Sequence, residues 1–256
     1  MVIVNKRGKI MEDNNSVDNI PVLKLTLGEK VKNFFVNPQK LFEYYKDNES
    51  YGIRLLIVVV CSAITALILA IASKDKLSGA VSESVKGVDP ATAATAQKLA
   101  GVFTSPISAV ITTIIVTIIA VYFMSLVYFL IAKIFKSTAT YRQMVGVYLI
   151  SYFPVLIGGI IKAIYDIIAN KPLDLAAIAE ATANMTIADI LITKLNVFGL
   201  WQMVLIAIGI AVIGNISKKK SAAVVIIVWT LGFILAIGSN SIKNIVPPAT
   251  SVSPVK

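Results

Sequence analysis

The sequence predicts an all-α integral membrane protein with five transmembrane helices, on three observations. Five apolar stretches run over Ile53–Ala72, Pro106–Phe135, Met144–Ile168, Val197–Ile216 and Ala222–Ile242. Each has about 20 residues or more, the length at which a helix crosses about 30 Å of hydrocarbon. None shows the dyad alternation of a membrane barrel strand, which leaves the helix as the way to satisfy every backbone N–H and C=O in lipid. Finally, 57% of the 256 residues are hydrophobic and mean hydropathy is +0.81, so the flanks are too short for a separate catalytic domain.

The lysines orient the bundle. With the N-terminus cytoplasmic, fifteen basic residues fall inside, three of them at Lys218–Lys220, and nine fall in the much longer outer segments. Basic density then favours an inner N-terminus and, after five crossings, an outer C-terminus. The same flanking lysines account for the net charge of +10; with three arginines among 24 basic residues, nucleic acid is not expected as a partner.

Residues 1–52 read as a cytoplasmic segment. Residues 1–20 have little to bury and predict a mobile tail, with no cleavable signal peptide behind the apolar opening Met1–Val4. Thr26 and Glu29 stand at capping-box spacing, and Val31, Phe34 and Phe35 follow at helical spacing. Asn37-Pro38 predicts a second helix start, with Val36 and Leu41 placed as a hydrophobic staple and Leu41, Phe42, Tyr44 and Tyr45 on its apolar side. Basic aromatic helices beside a span lie in the membrane interface, apolar face down, and the same face suits a docked partner. Both readings stand.

Residues 53–244 form the five-helix domain and 245–256 an outer tail. Ser105-Pro106 opens the second span as N-cap and first-turn proline; Asn170 and Pro172 close the third. In the outer loops, Asp89-Pro90 predicts a short helix over Ala91–Val102, and Asp174–Ala183 and Ile187–Leu195 predict two more. Pro154, followed by Gly158 and Gly159, predicts a kink in the third span, because proline removes an N–H and crowds the preceding turn. Small residues recur at Ser62, Ala66 and Ala70, at Ala207 and Ala211, and at Gly232 and Ala236, where helices pack closely within the monomer or between copies in a homo-oligomer.

Chemistry is sparse. The chain has no histidine and a single cysteine, Cys61, inside the first span, which removes the usual zinc ligands, Ser-His-Asp catalysis and any internal disulfide. No span has an acidic residue near its middle, so an ion-coupling relay is missing. Lys162 and Asp166, four apart near the outer end of the third span, read as an i,i+4 pair snorkelling to the interface. There is no phosphate-binding glycine loop, so no cofactor is predicted and any ATP is supplied by a partner. A permease lined by Thr112, Thr113, Thr117 and Ser151 is the rival reading.

The order of features resembles the Yip family, the Ypt/Rab-interacting membrane proteins, in its bacterial branch. The matching pieces are Asn37-Pro38 with Phe42, the loop Phe135–Gln143, Tyr152-Phe153-Pro154, the run Asn196-Val197-Phe198-Gly199-Leu200-Trp201-Gln202, and Lys218-Lys219-Lys220-Ser221-Ala222-Ala223. The resemblance implies five helices with the N-terminus inside. Eukaryotic members bind Rab-type GTPases; this chain lacks their Asp-Leu-Tyr-Gly-Pro signature at the fourth span. For a bacterial member the resemblance implies a non-catalytic partner of other proteins in the cytoplasmic membrane, with ABC exporter subunits as associates. The expected contact residues are Phe34, Phe35, Leu41, Phe42 and Tyr45, together with Lys218, Lys219 and Lys220.

Overall fold

The computed structural model describes residues 25–46, 50–169 and 186–245. Among them the ordered elements are all helical: α1 Leu27–Val36, α2 Pro38–Lys46, α3 Gly52–Ser84, α4 Pro90–Phe103, α5 Pro106–Ile134, α6 Tyr141–Ile168, α7 Ile187–Lys194, α8 Val197–Ile213 and α9 Lys218–Ile245. The N-terminal tail, the 174–183 helix and the 246–256 tail lie outside the described residues.

Four helices are long and apolar enough to cross a membrane: α3 over Gly52–Lys76, α5, α6, and α9 over Lys218–Gly238. The fourth predicted span is shorter than expected. It stops at Ile213, after 17 residues, because the backbone N–H of Gly214 closes the helix on Ile210 O and Asn215 then turns into the left-handed region at φ 50°. Seventeen residues rise about 25 Å.

Helix starts follow the caps. Thr26 and Glu29 close their capping box around the first turn of α1. The Asn37 side chain accepts from Lys40 N at 3.2 Å and opens α2. Asp89 caps α4 and Ser105 caps α5, each ahead of its proline. Two boundaries move. The first helix does not stop at Ala72: it runs through Gly79 to Ser84, the Ser78 and Ser82 hydroxyls donating back to Asp75 O and Ser78 O, and the chain turns at Gly87, at φ 83°. Lys218–Lys220, expected in a loop, form the first turn of α9, with Lys220 N donating to Ser217 Oγ at 3.4 Å.

The core sits in one half of the bundle. Its buried side chains come from α2, the first turns of α3 (Val58), the first half of α6 (Met144, Val145, Val147, Leu149), the last half of α5 (Val121, Tyr128, Ala132), the last half of α8 (Leu205, Ile206, Ile210) and the first turns of α9 (Val224, Val225). These segments all adjoin the ends where Lys133, Lys136, Arg142 and Lys218–Lys220 lie, here called the basic end. Every residue from Met144 to Ser151 is buried, so α6 is surrounded there on all sides. Toward the opposite end the helices open outward: Ile107, Ile111, Ile115 and Ile119 of α5 and Ile161, Ile164 and Ile168 of α6 are exposed, as lipid-facing residues must be.

Candidate functional site at the basic end

The basic end is assembled around α2. This helix does not rest on its apolar face at the bundle's edge; it is wedged between α6 and α8. Phe42 is fully buried and Leu41 is 4% exposed. The Phe42 ring enters where α8 has no side chain: a Cβ on Gly209 would lie 2.6 Å from Val147 Cγ1 and 2.9 Å from Phe42 Cε1. Val36 stays 74% exposed, so Leu41 is buried by the bundle and no staple covers it.

Polar bonds then lock the elements together. Gln143 ties two helix ends: its Oε1 accepts from Thr140 N at 2.9 Å, completing the capping box of α6, and its Nε2 donates to Lys46 O at 3.1 Å, a carbonyl in the last turn of α2. Lys46 Nζ donates to Asn215 Oδ1 at 3.0 Å. Thr138 N donates to Gly214 O at 2.9 Å, joining the α5–α6 loop to the end of α8, and a Cβ on Gly214 would collide with Ser137 Oγ. In that loop Lys136 takes φ 64° where a helix ends, a place more often held by glycine.

Arg54, 8% exposed, lies beneath this lock. Its guanidinium packs over the Tyr45 ring at 4.0 Å, Nη2 donates to Ser50 O, and Gly146 of α6 leaves it room. Among the described residues Nε and Nη1 have no hydrogen-bond partner. Tyr45 is therefore a support for a buried cation, with Lys30 Nζ 5.9 Å from the same ring.

α1 carries two faces. Phe34 is half-buried, with its ring 5.3 Å from Trp201 and 6.2 Å from Phe153. Phe35 touches Trp201 at 5.2 Å but is 58% exposed. It continues an outward stripe of Leu27 and Val31 at i, i+4, i+8. α1 thus turns an apolar stripe outward, whereas α2 turns Leu41 and Phe42 into the bundle. Lys218, Lys219 and Lys220 are all exposed. Three cations at a helix N-terminus oppose the helix dipole, by about 0.3–1 kcal/mol each; flanking a span on its basic side is the property that outweighs this.

The predicted contact residues thus separate. Phe35 and the three lysines are at the surface, Phe34 and Tyr45 are half-buried, and Leu41 and Phe42 are inside. The kink residues separate too. Pro154 is buried within an unbroken α6, Gly158 is the seat of Phe198, whose ring carbon would stand 2.5 Å from an added Cβ, and Gly159 faces open space. Lys162 and Asp166 form the expected ion pair at 2.5 Å, far from this end. The hydroxyls of the permease reading are not brought together. Thr112 is exposed, whereas Ser151 is enclosed one turn past Tyr148, whose ring lies 6.2 Å from Tyr128. Ser151 therefore lies level with about Ser125, roughly 12 Å along α5 from Thr117. Among the described residues no cluster of three or more His, Cys, Asp or Glu side chains is placed to hold a metal ion.

Gly209, Gly214, Gln143 and Arg54 were not singled out by sequence reasoning. The available signals are a glycine between Ala207 and Ala211 in an apolar helix and Thr140 with Gln143 at capping-box spacing.

A multi-helix membrane protein closed at one end by a docked amphipathic helix is the class that these features define. The Yip1 domain matches residues 32–239, from the middle of α1 to near the end of α9, and the chain belongs to the Yip1 family. It is 28% identical over 215 residues to "Membrane protein YknW" of Bacillus subtilis (strain 168), a match covering 82% of this chain and 89% of that protein. No solved structure matches.

Proposed function

We propose that this chain is a non-catalytic accessory protein of the bacterial cytoplasmic membrane, which assembles with or regulates a membrane complex, an ABC-type exporter, through its basic end. The observation that carries the reading is the build of that end. Helix α2 and two loops are interlocked by packing and hydrogen bonds, yet Lys136, Lys218–Lys220 and Phe35 are presented outward. A fixed surface with an exposed aromatic residue and concentrated positive charge is suited to recognition, since little ordering cost remains when a partner docks. The exporter is chosen because the Yip resemblance points to such machinery and because the chain has no nucleotide-binding loop of its own.

In this reading the basic end faces the cytoplasm and the chain crosses five times. α6 leaves the basic end and α9 starts there, so α8 has to carry the chain back across. Its rise of about 25 Å, with tilted or thinned bilayer at its ends, is compatible with that. Leu41, Phe42 and Tyr45 then hold the surface in place and do not touch the partner.

The test is recovery of the complex. Lys218→Glu, Lys219→Glu and Lys220→Glu combined with Phe35→Ser lie on exposed positions and leave the core intact. Cross-linked pull-downs from native membranes should recover exporter subunits in near-fixed proportion with the unaltered protein and far fewer with this variant. Equal recovery at equal expression would refute the assignment.

A further inference from the structure

Where the α1–α2 turn meets α8, the protein leaves a half-open cavity of ≈ 310 Å³, lined by Val36, Pro38, Val204, Ala207, Ala211 and Lys218 among others. Its walls are mostly aliphatic. One end lies at the basic end, where Lys218 stands at the mouth with exposed Lys219 and Lys220 beside it. From there the lining runs along α8 from Ala211 to Val204, about 10 Å. It merges with the exposed apolar residues Val204, Leu200 and Val197, the lipid-facing side of α8. The cavity is therefore continuous with the bilayer at one end and cationic at the other, which is the polarity of a phospholipid leaflet.

Among the described residues nothing neutralises the charge at the mouth. α8 and α9 contain no carboxylate. The single acid of α2, Glu43, accepts a hydrogen bond from Gln39 Nε2 at 3.0 Å. Among the described residues no ion pair involves Lys218, Lys219 or Lys220. The first turns of α2 and α9 line the cavity through Pro38 and Lys218, which brings the positive ends of two helix dipoles to it.

We propose that this cavity binds one anionic phospholipid from the leaflet at the basic end, with an acyl chain along Ala211, Ala207 and Val204 and the headgroup phosphate on Lys218. The lipid fills the space between the docked α2 and the membrane, so α2 is held by a lipid on one side and by Phe42 on the other. This holds whether or not a protein partner binds the same end.

The test is native mass spectrometry of the full chain, purified in mild detergent with equal phosphatidylglycerol and phosphatidylcholine. The unaltered protein should retain a single phosphatidylglycerol in preference to phosphatidylcholine. Lys218→Gln should lower that preference about fivefold, the effect of one lysine at a headgroup, and Ala211→Phe, which fills the cavity, should remove the bound lipid. Lys136→Gln, on the α5–α6 loop, should leave the preference unchanged. Equal retention of the two lipids, an unchanged preference in Lys218→Gln, or an equal loss in Lys136→Gln would overturn the proposal. So would inorganic phosphate abolishing the preference, which would make the mouth a free-anion site.

Discussion

The contact between Phe42 and Gly209 lends itself to a quantitative test. In Gly209→Ala the added methyl must sit 2.6 Å from Val147 Cγ1 and 2.9 Å from Phe42 Cε1, about 1 Å inside ordinary carbon–carbon contact. Val147 is fully buried on α6 and cannot retreat, so the strain falls on α2, which is the shorter and less enclosed element. Overpacking of a tight core costs about 1–3 kcal/mol. Taking about 2 kcal/mol, the undocked population of α2 rises about 30-fold. Hydrogen–deuterium exchange of the Pro38–Lys46 amides reads this directly, with α5 and α9 amides as internal controls that should not change. Phe42→Leu in the Gly209→Ala background removes the ring atoms that would stand 2.9 and 3.0 Å from the new methyl and should recover part of the protection, giving non-additivity between contacting sites. If α2 exchanges like an unstructured peptide in the unaltered protein, or if Gly209→Ala leaves its exchange unchanged, the docked geometry is wrong.

Further outcomes follow from other contacts. Gly158→Leu should lower thermal stability by driving out the Phe198 ring, and Phe198→Ala should restore part of it; equal loss in both backgrounds would mean that the two residues do not share space. Glu29 is held below the usual carboxylate range by the Thr26 backbone and hydroxyl donors, so its contribution to α1 is present above that range and is lost as pH falls through the lowered value. Exchange of the α1 amides should accordingly rise at acid pH, and Glu29→Gln should remove this dependence; no change in either would count against the capping box. With Cys61 replaced by alanine, Lys219→Cys should react with an impermeant maleimide only in inverted vesicles and Lys162→Cys only in intact cells; the reverse pattern would invert the topology.

Much of the fold was legible because it is written in local signals. Thr26 with Glu29, Asn37, Asp89-Pro90 and Ser105-Pro106 each satisfy the orphan amides of a helix start, and each cap formed where its spacing placed it. The long apolar runs were equally plain. What local signals did not carry was which apolar face is covered by protein and which by lipid. Leu41, Phe42, Tyr44 and Tyr45 look alike as a stripe, but Phe42 is buried because Gly209, 167 residues away, leaves a gap for its ring. The end of α8 at Ile213 and the helical Lys218–Lys220 turn likewise depend on tertiary bonds to the 135–140 loop and on the cap at Ser217. Arg54 reads as one more flanking cation; its burial under Tyr45 becomes visible only once α2 is in place. The burial of α6 also reverses a simple expectation. It is the least apolar of the four long spans and the most enclosed, since the helices facing lipid need the most apolar surface.

In the proposed role the basic end is where another membrane protein is recognised. Site-specific photo-cross-linking in native membranes tests it most directly, with the photoreactive side chain placed at Lys219, at Phe35, and at Lys162 on the opposite end. Adducts to subunits of one membrane complex are expected from Lys219 and Phe35 and none from Lys162. Adducts from Lys162 alone, or adducts only between copies of this chain at all three positions, would contradict it.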